Sequence, residues 1–278
     1  MYEGKRIGVV VPAYNEAPFI GDVIESMPEF VDRVFVVDDA STDSTWEEIL
    51  AHIETTPRDP EPAVLADDVG VPAGTVGRDV SLSDGGRPVH SRVVPVRHEE
   101  NRGRGAAVKT GYRLAVLDDH DVVAVMDGDG QMDPDALHRL VEPVATGRVD
   151  YAKGNRLESL EHCRGMPAWR LVGNVLLTLL TKIASSYWRV RDPQNGYTAV
   201  SAEAIERLSL ADLYDGYGFL NDLLIRLGVH GMRVEDVPLE AVYDDESSGI
   251  RYRTFVPGLS LLLLRGLLWR LWRTHLSS

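Results

Sequence analysis

A buried strand that ends in acidic residues stands at residues 122–131, VVAVMDGDGQ. Its first five residues are apolar, which is typical of a strand covered on both faces of a parallel sheet. Asp127, Asp129 and Gln131 follow at the carboxyl end of that strand, the edge at which open α/β sheets bind ligands. Carboxylate and amide oxygens suit Mg²⁺ or Mn²⁺, and such an ion bridges diphosphate oxygens. The segment therefore predicts a metal-assisted phosphate site on an α/β sheet.

The alternatives for this segment are a solvated acidic turn and a calcium-binding loop. A bare Asp-x-Asp is usually such a turn, but its position directly after an apolar strand favours a ligand site. An EF-hand loop that began at Asp127 would need Gly at its sixth position and Glu at its twelfth. The chain has Met132 and His138 there, which is a poor fit to an EF-hand.

The flanking sequence alternates strand patterns with helical patterns. Strands are predicted at residues 7–11, 34–37, 93–96, 122–126 and 150–153, and helices at residues 16–27, 44–53, 105–117 and 134–144. This alternation predicts an α/β fold with a mostly parallel central sheet and right-handed crossovers. Residues 55–91 are rich in Pro, Gly and Asp without a sustained period, which predicts an irregular insertion.

Polar side chains also follow the first two predicted strands. Asp39 ends the second strand, where a carboxylate can accept hydrogen bonds from a nucleobase edge or a ribose hydroxyl, and we favour ligand contact. Asp43 better suits the N-terminal cap of the next helix. Pro12 is expected to end the first strand. Glu16, beyond it, either holds a nucleoside or serves as a favourable acid at a helix N-terminus.

Two glycine-containing loops complete the set of motifs. Residues 101–105, NRGRG, precede a helix, where glycines let backbone amides approach an anion. Their spacing fits neither the Walker A motif nor the dinucleotide fingerprint. Residues 191–197, RDPQNGY, predict a loop that lines a site through Gln194, Asn195 and Gly196, with an ordinary surface turn as the alternative.

Composition narrows the class of partner. The 278 residues carry a formal net charge of −14, which argues against nucleic acid. The acidic, lysine-poor composition fits a salt-adapted organism, or a high-GC genome that prefers Arg and Asp codons. The single cysteine, Cys163, excludes an intramolecular disulfide. The polar start at residues 1–6 predicts no signal peptide, and no stretch has the apolar length of a transmembrane helix.

Taken in order, the motifs PAYNE, VDDASTD, NRGRG, DGDGQ and QNGY resemble glycosyltransferase family 2, the inverting enzymes with a GT-A fold. The resemblance covers about residues 5–242 and is strongest to the dolichyl-phosphate hexosyltransferases. Together with the acidic composition, it implies a halophilic archaeon as the source. It implies a catalytic domain at residues 1–242 and a nucleotide-sugar donor, either a UDP-hexose or GDP-mannose. It implies Asp127, Asp129 and Gln131 as ligands of Mg²⁺ or Mn²⁺, with Asp129 catalytic. The residues expected to bind the nucleotide sugar are Pro12, Tyr14, Glu16, Asp39, Asn101, Gly105, Asp127 and Gly128.

The sequence departs from this group near the end of the catalytic domain. Dolichyl-phosphate mannose enzymes usually carry an Arg-x-x-Gly-x-Ser-Lys run there. This chain has residues 246–253, ESSGIRYR, instead, which puts a mannose donor in doubt.

The nature of the acceptor decides which further residues are needed. A polyprenyl or dolichyl phosphate is already ionised, so that arginines would hold it and no general base would be required. Arg156, Arg170 and Arg251 are the candidates, with Gln194, Asn195 and Gly196 also expected on the acceptor side. A sugar hydroxyl would need a base, for which Asp222 is the candidate, with a helix-start role as its alternative.

The C-terminal part, residues 243–278, predicts an acceptor-side loop and an amphipathic helix over residues 257–272. Arg265, Arg270 and Arg273 fall within an arc of about 140° on a helical wheel, with Leu and Trp over much of the rest. This pattern favours a helix in the membrane interface, at the cytoplasmic face, over one packed on the protein core. The apolar segment at residues 169–187 is a second candidate for an interfacial element, with packing on the protein core as its alternative.

Two other classes of function compete with a polyprenyl-phosphate hexosyltransferase. One is a transferase that extends a lipid-linked saccharide, and the other is a non-catalytic, membrane-bound scaffold of the same fold. The intact Asp127, Asp129 and Gln131 set argues against the scaffold. A sugar-nucleotide pyrophosphorylase is disfavoured because its glycine-rich loop near residue 10 is missing.

Overall fold

The computed structural model describes residues 1–53, 92–155, 168–216, 218–239 and 252–275. The whole of the predicted insertion, residues 55–91, lies outside these residues, together with Arg156 and Arg251. Arg170 lies within a described helix, but its side chain is outside the description.

One sheet of seven strands organises the described chain. In sequence order the strands are β1 (Ile7–Ala13), β2 (Arg33–Asp38), β3 (Val93–Arg97), β4 (Val122–Val125), β5 (Tyr151–Asn155), β6 (Thr198–Ser201) and β7 (Val234–Pro238). Their order across the sheet is β3-β2-β1-β4-β6-β5-β7, and β6 alone among them runs antiparallel to its neighbours. The predicted α/β class with a mostly parallel sheet is confirmed.

The helices cover both faces of the sheet. They are α1 (Ile20–Glu25), α2 (Thr45–Ala51), α3 (Arg104–Leu117), α4 (Leu137–Ala145), α5 (Ala168–Ser185), α6 (Ala202–Arg207), α7 (Phe219–Val229) and α8 (Tyr252–His275). Helices α1 and α4 bury their apolar residues on one face of the sheet, and α3, α6 and α7 bury theirs on the other. Because both faces are covered, β1 is buried along its whole length.

The first strand extends further than expected. Pro12 does not end β1 but lies within it, paired in register with Val37 of β2. The carbonyl of Pro12 faces the β4 side, where it accepts a hydrogen bond from Gly128. A residue's amide points to the same side as its carbonyl in a strand, and β4 has already ended at Val125, so the missing N–H of proline costs no ladder bond.

Two further differences concern the start of α1 and two strands that were not predicted. Helix α1 begins at Ile20 rather than at residue 16, because residues 15–19 form a loop in which Asn15 has a φ of 59°. Strands β6 and β7 have no counterpart among the predicted strands. β6 is only four residues long, too short for a period of two to stand out from its neighbours.

The C-terminal helix packs on the protein through one of its faces. Leu259 and Leu263 of α8 join a cluster with Leu177 and Ala184 of α5 and Ile225 of α7. The three predicted arginines do not form one solvent-facing arc: Arg270 donates a hydrogen bond to Ser186 after α5, whereas Arg265 and Arg273 are exposed. Packing on the core, the alternative to a purely interfacial helix, therefore describes this face.

A second face of α8 is apolar and exposed. Its members are Leu261, Leu264, Leu268, Leu271 and Trp272, exposed by between 40% and 68%. On a wheel of 100° per residue they fall within an arc of about 100°, roughly opposite the packed Leu259 and Leu263. We call these five residues the apolar stripe. Among the described residues, no helix has the length and apolar character needed to cross a bilayer.

A buried histidine at the amino-terminal end of β4 makes stability depend on pH. His120 is 1% exposed, its ring stacks edge-on against Phe35, and its Nδ1 lies 3.2 Å from the Ala115 carbonyl oxygen. Burial, with the nearby charge of Arg6, lowers the pKa of His120 from 6.5 to about 4. Below pH 6.5 the unfolded chain therefore binds a proton that the folded chain refuses, and stability falls until the folded pKa is reached.

We expect His120 to contribute about 3 kcal/mol to the loss in the free energy of unfolding between pH 6.5 and pH 4. Denaturant unfolding across this range should show a shallower pH dependence for His120→Phe than for the unsubstituted protein. His138, an exposed histidine bonded through Nδ1 to the Asp135 carbonyl, provides the control His138→Gln. Equal pH slopes for His120→Phe and the unsubstituted protein would contradict the assignment.

Candidate active site

The predicted motifs meet at the carboxyl edge of the sheet. Strands β2, β1 and β4 are neighbours and parallel, so the residues that follow them emerge side by side. Strand β6 runs the opposite way, and its first residue, Thr198, pairs with Val125 at the end of β4. Residues 194–197, which precede β6, are thereby brought to the same edge as Asp127.

The loops after β1 and β2 are joined by a set of hydrogen bonds. The Asn15 amide donates to Ser41 Oγ at 2.9 Å, and its Oδ1 accepts from the Thr42 amide at 2.8 Å. The Glu16 amide donates to Thr45 Oγ1 at 2.8 Å. Because both loops are held against each other, their shape is set before any ligand binds.

Strained backbone occurs in both of these loops. Asn15 has a φ of 59° and Ala40 a φ of 61°, values that are costly for a residue with a Cβ, more so for Ala than for Asn. Tyr14, beside Asn15, is 43% exposed at the same edge. Such strain is common where the backbone is held in a shape suited to a ligand.

Asp43, predicted as the N-cap of α2, is not the cap: the cap is Ser44, and Asp43 lies one residue before it. Its Oδ1 accepts a hydrogen bond from the Thr45 amide at 3.0 Å, at the first residue of α2. This bond satisfies one of the amides that a helix start leaves without a partner.

The carboxylate of Asp39 is buried and bonded on both oxygens. Its Oδ1 lies 2.7 Å from His98 Nδ1, and its Oδ2 accepts from the Gly103 amide at 2.7 Å. The Arg102 amide donates to Oδ1 at 3.0 Å. Burial alone would raise the pKa of Asp39, but the bonds from His98 and the two amides outweigh it and lower the pKa below its usual value. Asp39 is thus held as a carboxylate.

These bonds give the NRGRG loop a different partner from the one expected. The amides of Arg102 and Gly103 bind an anion, as predicted for this loop, but the anion is the protein's own Asp39 carboxylate. A Cβ on Gly103 or Gly105 would lie within 2.9 Å of the Asp215 carbonyl oxygen, so both glycines permit close packing of the segment before α7. Asn101 is exposed at the start of the loop.

Asp127 is paired with an arginine from the same loop. Arg104 Nε donates to Asp127 Oδ1 at 2.8 Å, and Arg104 Nη2 also reaches the Gly196 carbonyl oxygen at 3.3 Å. A Cβ on Gly196 would overlap the Arg104 guanidinium and lie 2.9 Å from Asp127 Oδ2. Three motifs that are distant in sequence therefore meet at one ion pair.

The turn after Asp127 presents the remaining predicted metal ligands. The backbone N–H of Gln131 donates to Asp129 Oδ1 at 3.0 Å, and Gly130 between them has a φ of 72°. Asp129 and Gln131 are both half-buried. The Gly128 amide donates a hydrogen bond to the Pro12 carbonyl of β1.

The donor chemistry of this turn fits a hard cation. No cluster of three His, Cys, Asp or Glu side chains occurs among the described residues. The candidate ligands for a cation at this edge are the carboxylates of Asp127 and Asp129 and the side-chain amide oxygen of Gln131, with phosphate or water to complete its shell.

The loop before β6, predicted to lie on the acceptor side, is held by hydrogen bonds to buried residues of the protein. Gln194 Nε2 donates to Asn221 Oδ1 at 3.0 Å, and Asn221 Nδ2 in turn donates to Thr181 Oγ1 of α5 at 2.7 Å. Asn195 Oδ1 accepts from the Tyr197 amide, and its carbonyl accepts from the buried Lys153. Gln194 and Asn195 thus bond to other residues of the protein, and Gly196 is the member of the predicted trio that borders Asp127.

Asp222 lies in the first turn of α7 and is 7% exposed. Its Oδ2 accepts from the Tyr214 amide at 3.1 Å and from Arg226 Nε at 3.3 Å. Oδ2 of this candidate base is thus engaged by two protein groups at the start of α7.

Two of the most connected residues were not singled out from the sequence. Arg104 belongs to the NRGRG motif, and its charge between two glycines is the feature of the sequence that could have indicated its role. His98 sits just after β3 in no motif, and only its contacts reveal it.

Comparison with known proteins agrees with this geometry. The glycosyl transferase family 2 profile matches residues 8–68 and 87–208, a split that falls within the predicted insertion. A UDP-N-acetylglucosamine–dolichyl-phosphate N-acetylglucosaminyltransferase from Methanococcus voltae is 26% identical over 244 residues, covering 87% of this chain and 88% of that protein. A polyprenol monophosphomannose synthase from Mycolicibacterium smegmatis is 28% identical over 247 residues, covering 84% of this chain and 77% of that protein.

Solved structures show the same fold. Glucosyl-3-phosphoglycerate synthase from Mycobacterium tuberculosis, in complex with Mg²⁺ and UDP, superposes with a TM-score of 0.60 at 24% identity. The match covers 96% of this chain and 79% of that one. With more than half of its residues matched by the family profile, and with the motifs assembled at one sheet edge, the chain belongs to glycosyl transferase family 2 and is a glycosyltransferase of GT-A-like fold.

Proposed function

We propose that this protein transfers a hexose from a nucleotide sugar to a polyprenyl or dolichyl phosphate, at a membrane surface and with Mg²⁺ or Mn²⁺. The observation that carries the proposal is the meeting of Asp127, Arg104 and Gly196 beside Asp129 at the carboxyl edge of the sheet. Relatives that match more than four fifths of the chain carry names with dolichyl or polyprenyl acceptors, which supports the acceptor class.

On the donor side, Asp39 accepts a hydrogen bond from the nucleobase or ribose with the lone pairs that His98 and the two amides leave. Asp127, Asp129 and Gln131 would hold the cation, which would offset the charge of the departing diphosphate. Arg104 holds Asp127 by one oxygen, so that Oδ2 faces Gly196 and the ligand space. Pro12, Tyr14 and Glu16 border the nucleoside on the β1 side.

On the acceptor side, the chemistry needs no general base. A phosphate monoester is ionised near neutral pH, and its oxygen displaces the nucleoside diphosphate at the anomeric carbon with inversion. The engagement of Asp222 by Arg226 and the Tyr214 amide supports this mechanism, because that carboxylate is occupied by structural contacts. Arg156, Arg170 and Arg251 are the proposed phosphate-binding arginines.

The apolar stripe of α8 is the proposed membrane contact. The chain as a whole has a net charge of −14, yet α8 contains four arginines and no acidic residue. A helix with exposed Leu and Trp beside Arg265 and Arg273 suits an anionic bilayer, which takes the apolar side chains into its interface and attracts the guanidinium groups. This surface would carry the active site to a lipid-bound acceptor.

An activity panel tests the reaction. Purified protein with dolichyl phosphate, Mg²⁺ or Mn²⁺ and high salt should convert UDP-glucose, UDP-N-acetylglucosamine or GDP-mannose into a glycosyl-phosphodolichol, detected by its mass. The name of the Methanococcus voltae relative makes UDP-N-acetylglucosamine the first donor to test. A folded, nucleotide-binding protein that forms no product would contradict the phosphate acceptor and favour a lipid-linked saccharide.

Replacing a metal ligand should abolish transfer. Asp129→Asn removes one charge from the cation site, and we expect the rate to fall by on the order of a hundredfold or more. Asp133→Asn is the matched control: it lies four residues further on and is exposed, and its Oδ1 accepts from the Asp135 amide, which Asn can reproduce. Retained activity in Asp129→Asn would remove the metal site from the proposal.

Membrane binding should depend on the apolar stripe. Leu264→Gln with Leu268→Gln should weaken binding to vesicles of phosphatidylcholine and phosphatidylglycerol by at least about tenfold, because two Leu side chains no longer enter the membrane interface. Sedimentation with vesicles measures this, and Leu117→Gln, an exposed Leu at the end of α3, is the control. If the double variant sediments like the control, α8 is not the membrane contact.

A further inference from the structure

His98 lies behind the site rather than in it. It follows β3, is 3% exposed, and uses both ring nitrogens: Nδ1 lies 2.7 Å from Asp39 Oδ1 and Nε2 lies 2.9 Å from Thr110 Oγ1. Thr110 is buried within α3, on the side of the sheet opposite α1 and α4. The imidazole of His98 therefore links the Asp39 carboxylate, which follows β2, to Thr110 in the middle of α3.

The chemistry of the partners fixes the direction of one of these bonds. A carboxylate only accepts hydrogen bonds, so Nδ1 of His98 carries the proton and donates it to Asp39. Thr110 both donates and accepts, so its hydroxyl can satisfy Nε2. With both nitrogens bonded, the ring is held in one orientation, and the bond that it gives to Asp39 has a defined direction.

Asp39 transmits this constraint to the rest of the site. The same carboxylate holds the amides of Arg102 and Gly103, and the next residue, Arg104, holds Asp127. A shift of Asp39 would therefore move the nucleotide-facing oxygens and the start of α3 together.

We propose that His98 is a positioning residue for nucleotide binding. Its ring, held by Thr110, orients the Asp39 carboxylate from behind and does not touch the nucleotide sugar. This inference rests on the proposed function, because it takes Asp39 as a nucleotide contact. If His98 positions Asp39, the substitution that costs least affinity is one that keeps a hydrogen-bond donor to Asp39. If His98 only fills the core, the substitution that costs least is an apolar side chain of similar size.

Three substitutions separate these two roles. His98→Asn keeps an N–H near the position of Nδ1 and loses the link to Thr110. Thr110→Val keeps the shape of the threonine and removes the same link from the other side. His98→Leu fills the space without any donor to Asp39.

Nucleotide affinity is the readout, measured by calorimetry with UDP and with GDP in the presence of Mn²⁺. We expect His98→Leu to weaken binding about tenfold or more, as for loss of a hydrogen bond to a charged group. His98→Asn and Thr110→Val should each weaken it only about threefold, and the double variant no further, because both remove one link. The acceptor KM should stay unchanged in all of them.

A stability control separates positioning from folding. His120→Phe replaces a buried histidine at the opposite edge of the same sheet, so it should change stability without changing nucleotide affinity. Equal affinity of His98→Leu and the unsubstituted protein would overturn the inference alone, as would losses that track the melting temperature in all variants. If His98→Leu does not fold, the Asn and Val variants and their double decide, and additive losses in the double count against the inference. An unsubstituted protein that binds neither nucleotide would overturn the proposed function as well.

Discussion

A negative charge buried at the end of β2 is the constraint on which the site depends. Asp39 is 3% exposed, and a carboxylate in that position is costly unless several donors satisfy it. Its partners come from the loop before α3 and from the residue after β3, so satisfying the charge fixes the path of the chain between those elements. The ordering of that loop places Arg104 beside Asp127.

The reversal of β6 is the second constraint. Had β6 run parallel to β4, the residues before it would lie at the opposite edge of the sheet. Because it runs antiparallel, Gly196 arrives next to Asp127, and its lack of a side chain lets Arg104 bond to both. The loop before β6 and the acidic turn after β4 thus meet at one ion pair, although Asp127 and Gly196 are 69 positions apart in the sequence.

The C-terminal layer combines two kinds of surface in one helix. One face of α8 completes a small apolar core with α5 and α7, and Arg226 of α7 stacks over Trp269 at 5.2 Å. The other face leaves the apolar stripe in water. A helix that is apolar on opposite sides shows little amphipathic asymmetry along its sequence, so its division into a packed side and an exposed side depends on its neighbours.

The sequence by itself determined the alternation of strands and helices, the parallel character of the sheet and the acidic turn after β4. These follow from local periodicity and from residues such as Asp127 that stand directly after apolar runs. The hydrogen bond between Asp43 and the start of α2 is equally local, although the cap itself is Ser44. Tertiary structure decided what depends on partners distant in sequence: that Pro12 lies within a strand, that two NRGRG amides bind Asp39, and that His98 bonds to Asp39 from behind the site. It also decided the direction of β6 and the face on which α8 packs, because pairing and burial are set by contacts between elements and not by the pattern within any one of them.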